Sequence, residues 1–301
     1  MTTLITGVNG QLGHDVMLEL LRRGHNAIGA GSAENCRCTD AVSAMPYIQL
    51  NITDREAVRE AAAKLRPDVI IHCAAWTNVD GAEDAENRAK VDAVNHLGTQ
   101  YLAEAARAVD AKMIYVSTDY VFNGQGTDPW QPDDKSYAPL NVYGQSKLAG
   151  ELAVAGTLEK YFIVRTAWVF GLNGKNFVKT MVNVGHTHDA VRVVSDQIGT
   201  PTYTKDLARL LADMAESEKY GYYHATNEGG YISWYDFTRE IYRQAGLDTK
   251  VIPVTTEEYG LSKAKRPFNS RLDKSKLIEN GFRPLPDWKD ALGRYLSEAK
   301  L

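Results

Sequence analysis

Along the first half of the chain, short apolar runs alternate with longer amphipathic stretches, the pattern of a parallel sheet wrapped by helices. Thr3-Leu4-Ile5 predicts a buried strand, Leu12 to Arg22 a helix, Ala27-Ile28 the next strand and Tyr47 to Leu50 a third. Asn51-Ile52-Thr53-Asp54 supplies cap chemistry for a helix running through Lys64. Pro67 introduces a strand from Asp68 to His72, and a long helix is expected from Glu86 to Val109, followed by the strand Lys112 to Ser117. Between Asn123 and Leu140 the pattern breaks at Gly124, Gly126, Pro129, Pro132 and Pro139, which predicts a loop long enough to be functional. A helix from Asn141 to Ala155 and a strand from Tyr161 to Thr166 follow. Beyond Gly171 the period is less regular, with helix-like stretches at 176–184, 205–216 and 233–245 and strands at 191–194, 220–225 and 250–254. The expected fold class is α/β, a doubly wound parallel sheet with a smaller mixed α+β portion toward the C-terminus.

Composition narrows the function. The 301 residues carry 34 Lys+Arg against 38 Asp+Glu, a net charge of -4, which leaves no electrostatic footprint for nucleic acid or an anionic membrane. No apolar run approaches the ~18 residues that span a bilayer. The first residues lack the basic stretch and apolar core of a signal peptide, so the cytoplasm is the expected location. Three cysteines, Cys36, Cys38 and Cys73, imply no disulfide framework. Cys36-x-Cys38 lacks a second pair for a metal site, and Cys73 reads most simply as a small buried hydrophobe.

Directly after the first strand stands Gly7-Val8-Asn9-Gly10-Gln11-Leu12-Gly13, leading into a helix. Glycines permit a tight turn and close approach of a diphosphate, and the helix N-terminus favours negative charge. This is a dinucleotide fingerprint in a variant spacing, in the right strand–turn–helix context, so the sheet is expected to be of Rossmann type. After the second strand the chain reads Gly29-Ala30-Gly31-Ser32, with no acid until Glu34. A carboxylate there would repel a 2′-phosphate, so its absence favours NADPH with NADH tolerated; Arg37 is a nearby phosphate partner or a solvated surface residue.

Tyr143-Gly144-Gln145-Ser146-Lys147 places a phenol and an ammonium on one face of a predicted helix. A tyrosine near its ordinary pKa of ~10 is a poor acid–base catalyst at neutral pH. A neighbouring cation is expected to bring it down. The strand before the long loop ends in Ser117-Thr118, so Thr118 is placed to share a substrate oxygen with Tyr143.

Together these residues resemble the extended short-chain dehydrogenase/reductase family, and the likeness covers the whole chain. A narrower resemblance, to the dTDP-4-dehydrorhamnose reductases of that family, lies in six ordered motifs: 72–80, 116–122, 141–147, 165–171, 196–202 and 266–272. It implies reduction of the 4-keto group of dTDP-4-dehydro-β-L-rhamnose to dTDP-L-rhamnose for surface polysaccharide. Thr118, Tyr143 and Lys147 would be catalytic, with Lys147 also on the nicotinamide ribose. By the same resemblance Gly7, Asn9, Gly10, Gln11, Leu12, Gly13, Asn51, Ile52, Ala74, Ala75, Tyr143 and Lys147 would hold the cofactor. Thr77, Val79, Thr118, Asp119, Trp168 and Arg266 would hold the sugar nucleotide. For Trp168 the alternative is a place in the core, and for Arg266 an ion pair. Residues 1–165, with segments near 195–230 returning, would form the dinucleotide domain; 166–194 and 231–301 would form the substrate-binding portion.

Related dehydratases carry an Asp-Glu pair after the threonine. Here Thr118-Asp119 is followed by Tyr120, which disfavours dehydration. Reductases of other nucleotide-linked 4-keto-6-deoxy sugars stay open, as does a non-catalytic role like the regulatory subunit of methionine adenosyltransferase, against which the retained Thr118, Tyr143 and Lys147 argue. Asn95 is expected mid-helix beside the cofactor half, or making an internal helix hydrogen bond. Some relatives dimerise through magnesium held by clustered glutamates. Asp15 falls at one such position, but His186 and His188 stand where acids are expected, so no metal ligand is assigned, and both magnesium and a homodimer are left open.

Overall fold

The computed structural model describes residues 1–38 and 41–301. Seven parallel strands form the central sheet: β1 (Thr2–Thr6), β2 (Asn26–Gly31), β3 (Tyr47–Gln49), β4 (Val69–His72), β5 (Lys112–Thr118), β6 (Tyr161–Thr166) and β7 (Gly221–His224). Their order is β7-β6-β5-β4-β1-β2-β3, with the reversal between β1 and β4. Alternate residues of each strand enter opposite cores, which is why the inner strands read as unbroken apolar runs. Ile5, Val69, Ile71 and Val164 pack beneath α1 (Gln11–Arg22) and α7 (Thr204–Ala215). Leu4, Ile70, Met113 and Ile163 pack against α2 (Arg55–Leu65), α4 (Gly98–Ala108) and α5 (Val142–Thr157).

A separate core gathers Phe170 of the short strand Val169–Phe170 with Val182, Phe237, Ile241, Trp288 and Tyr295 from α6 (Phe177–Gly185), α8 (Trp234–Ala245) and α9 (Trp288–Ala299). The strands Ala190–Val194 and Lys250–Val254 pair in parallel at its edge. The predicted strands and helices are all present, with shifts of a few residues at their ends. Two expectations change. The helix expected from Glu86 to Val109 is three segments, α3 (Arg88–Asp92), a π turn (Ala93–Leu97) and α4. The C-terminal helix α9 has no counterpart in the predicted elements. Its buried residues Trp288, Ala291, Leu292, Tyr295 and Leu296 nevertheless follow the helical period.

Candidate active site

The carboxyl ends of β1, β2, β4, β5 and β6 open into one cleft of about 820 Å3. Its floor begins at the glycine loop. Gly7 has φ 75°, and a Cβ there would stand 2.7 Å from the backbone nitrogen of Ala74. A Cβ on Gly13 would meet the Gly7 carbonyl at 2.4 Å. Both glycines are therefore required by close backbone approach. Helix α1 starts after Gly10 without any side-chain cap, so its first N–H groups face the cleft unpaired. The Asn9 side chain accepts from the backbone N–H of Arg37 at 2.8 Å. Gly31 and Ser32 line the rim, and Asp119, at the far end, is the one carboxylate among the described residues lining the cleft.

The deep end is built from β5 and α5. Asn141 caps α5 by accepting from Gly144 at 2.7 Å, which starts the helix just before Tyr143. Asn95, in the π turn, accepts from Trp76 N–H at 2.8 Å and donates to Ser146 at 2.9 Å. That pair of bonds ties the segment after β4 to the helix carrying Tyr143 and Lys147. It replaces the internal helix bond and explains the widened turn, a device frequent at functional sites.

Lys147 is 2% exposed and donates to the Val116 carbonyl at 2.7 Å, with its ammonium 4.0 Å from the centre of the Tyr115 ring. Burial pushes it down to about 7, against the upward pull of Glu151 and Cys73. Tyr143 differs from expectation. Burial holds its phenol above the ordinary value, the Asp119 charge adds to this, and the nearby Thr118 hydroxyl opposes it. Lys147 does not lower it, because the ammonium is directed to Val116 rather than to the phenol. Tyr143 is therefore a protonated group over the whole neutral range.

Asp119 is buried beside them. Burial pushes it up to about 6, against hydrogen bonds from Ser270 and Thr118. Its Oδ2 and the Ser117 hydroxyl are buried without a hydrogen-bond partner among the described residues.

The cleft brings together Gly7, Asn9, Gly10, Gln11, Leu12, Gly13, Asn51, Ile52, Ala74, Ala75, Thr77, Val79, Thr118, Asp119, Tyr143, Lys147 and Trp168. Trp168 has φ 50°, a strained backbone for a bulky residue, and stacks on Trp234 at 3.7 Å between ring centres. Arg266 lies outside the lining. Its guanidinium is bidentate on Asp80, at 2.8 and 3.1 Å, beside Tyr120. Asp15 is buried, accepting from the Thr204 hydroxyl and meeting His14 at 3.2 Å, so it presents no surface carboxylate. His186 and His188 are exposed.

Sequence reasoning missed Tyr120, Lys175 and Trp234, which also line the cleft. Tyr120 had a signal, standing next to Thr118-Asp119; Lys175 and Trp234 come from distant segments and had none.

A family model, the RmlD substrate binding domain, matches residues 1–301. The chain is 42% identical over 295 residues to a dTDP-4-dehydrorhamnose reductase of Streptomyces griseus, covering 96% of this chain and 91% of the relative. The chain belongs to the dTDP-4-dehydrorhamnose reductase family. A crystal structure of the family from Clostridium acetobutylicum superposes with a TM-score of 0.91 at 40% identity and covers 100% of both chains. The family member from Bacillus anthracis, solved in complex with NADP, gives 0.88 at 38% identity over 99% of each chain. The family membership accounts for the parallel sheet and its strand order. No helix among the described residues is long and apolar enough to cross a membrane.

Proposed function

We propose that this protein is an NADPH-dependent reductase that converts the 4-keto group of dTDP-4-dehydro-β-L-rhamnose to the alcohol of dTDP-L-rhamnose. The observation that carries the reading is a protonated phenol, Tyr143, beside the Thr118 hydroxyl in a cleft whose other end is a glycine cradle under an uncapped helix. The names of the full-length relatives support the same chemistry. In this reading the reaction takes place in the cytoplasm, and the substrate-binding portion is 166–194 with 231–301.

The cradle fits a dinucleotide. Gly7 and Gly13 let the loop close tightly against Ala74 and on itself, the N–H groups at the start of α1 would bind a diphosphate, and Asn51, Ile52, Ala74 and Ala75 would flank the nucleoside halves. The absence of an acid after β2 suits a 2′-phosphate. NADPH supplies a hydride when bound. Tyr143 donates its proton to O4 of the sugar as negative charge grows there, and Thr118 donates a hydrogen bond to the same oxygen. Lys147 would hold the cofactor ribose. Trp168 packs on the sugar and Asp119 accepts from a sugar hydroxyl. Arg266, held by Asp80, would meet the diphosphate of the sugar nucleotide through a shift of its side chain.

The direct test supplies dTDP-4-dehydro-β-L-rhamnose and follows NADPH and NADH oxidation separately. Rapid loss of NADPH with dTDP-L-rhamnose as product is expected; cofactor binding with no turnover overturns the substrate assignment. Gly13→Ala should weaken NADPH binding by more than tenfold, since the added methyl forces the loop open. An unchanged Kd would remove the cradle from the argument.

Asp119 makes the reaction sensitive to acid. As pH falls through about 6 the carboxylate takes up a proton and ceases to be a full acceptor, so KM for the sugar nucleotide should rise while Kd for NADPH stays level. Because its folded pKa is raised, the stability tied to the neutral acid is complete below the unfolded value and is lost as pH rises through about 6. Asp119→Asn should therefore raise Tm more at pH 8 than at pH 5 and flatten the KM profile. A variant less stable than wild type at pH 8 would refute this.

A further inference from the structure

The segment 171–176, between β6 and α6, lies across the glycine loop and is fastened to it. Asn173 donates to the carbonyl of Asn9 at 3.2 Å, and Asn176 donates to the Gln11 side chain at 3.0 Å. Asn176 also donates to the Gly171 carbonyl at 2.8 Å and its Oδ1 accepts from the Tyr295 hydroxyl at 3.3 Å, so the strap is anchored at both ends. From inside, Lys179 donates to the carbonyls of Leu172 and Gly174, at 2.5 and 3.0 Å. A Cβ at Gly174 would stand 3.6 Å from Cγ of Gln11, the first residue of α1, which places the middle of the strap over the helix N-terminus.

Lys175 stands at that point. Among the described residues lining the cleft, Lys147 and Lys175 are the two Lys or Arg side chains. Lys147 lies at the far, catalytic end, buried and bound to Val116. Arg266 is committed to Asp80. Lys175 is exposed and forms no hydrogen bond or ion pair among the described residues, although Lys179 in the same stretch is doubly bonded. A dinucleotide diphosphate carries two negative charges, and the α1 N-terminus offers it only N–H groups and a partial positive charge.

We propose that Lys175 is a ligand of the cofactor diphosphate, presented by the strap 171–176 so that the substrate-binding portion itself closes on the bound dinucleotide. The proposal rests on the cleft being a dinucleotide site. The anchored backbone limits the entropy lost when the lysine engages, and the ammonium reaches its partner across a rim already shaped by Asn173 and Asn176. The diphosphate, rather than a 2′-phosphate, is the target because the strap touches Asn9, Gly10 and Gln11, whereas the rim after β2 is formed by Gly31 and Ser32.

The test titrates full-length wild type, Lys175→Ala, Lys175→Glu and Lys175→Arg with NADPH, NADH and ADP-ribose, each at low and high salt. All three ligands share the diphosphate, and NADPH alone has the 2′-phosphate. Lys175→Ala should raise Kd about tenfold for all three ligands, with Lys175→Glu weaker still and Lys175→Arg near wild type. The salt dependence of binding should flatten in the Ala variant. Loss confined to NADPH would move the lysine to the 2′-phosphate and overturn the proposal. Unchanged affinity for all three ligands would overturn it while leaving the reductase reading intact. Failure of wild type to bind any of them would overturn the dinucleotide reading itself, and the proposal with it.

Discussion

Tyr143→Phe should lower kcat roughly a thousandfold while leaving Kd for NADPH within about twofold. The phenol is held in its protonated form by burial and by Asp119, with the Thr118 hydroxyl beside it. Removing one oxygen deletes the proton donor without changing the ring that packs edge-on against Tyr120 at 5.7 Å. The effect belongs in kcat because the proton is needed only as charge develops on the sugar oxygen. Stopped-flow turnover with calorimetric cofactor binding separates the two quantities. A variant retaining more than a tenth of wild-type kcat would exclude Tyr143 as the acid.

The second large effect concerns stability. Arg165 on β6 and Glu151 on α5 are both 0% exposed, joined by bonds of 2.9 and 2.7 Å. The same guanidinium donates to the Pro132 carbonyl at 3.2 Å and to Tyr137 at 3.1 Å, and lies over the rings of Phe122 and Tyr222. It therefore fastens the loop 123–140 to the sheet one turn of helix beyond Lys147. Arg165→Met leaves a buried carboxylate without its partner and should cost about 3–5 kcal/mol in urea unfolding. Glu151→Leu added to it removes the stranded charge and should recover more than half of the loss. If the double variant is no better than the single one, the loop anchorage outweighs the charge.

Much of the architecture could be read from the chain because the periods were clean. Strands buried on both faces left runs such as Val69-Ile70-Ile71, and Asp54, Asn141 and Asn176 stood where caps belong. The helix Trp288–Ala299 carries an equally good period, but it follows directly on Pro284 and Pro286, which masks its start. The π turn at Ala93–Leu97 had no local signal. It exists because Asn95 bonds Trp76 and Ser146, residues brought to it by the sheet.

What the sequence determined by itself was the set of residues whose chemistry is local: glycines needed by a tight loop, a tyrosine and a lysine one helical turn apart, and a threonine at a strand end. Their spacing is covalent, so it survives without knowledge of the fold. The tertiary structure decided how those groups are charged and who stands beside them. Burial, not Lys147, governs the Tyr143 phenol, and the ammonium faces Val116 because β5 runs beneath it. Only the packing of α6 against α8 could bring Trp234 onto Trp168, and only the fold lays Lys175 beside the glycine loop. Desolvation and long-range contact depend on the whole folded surface, and no window of sequence contains them.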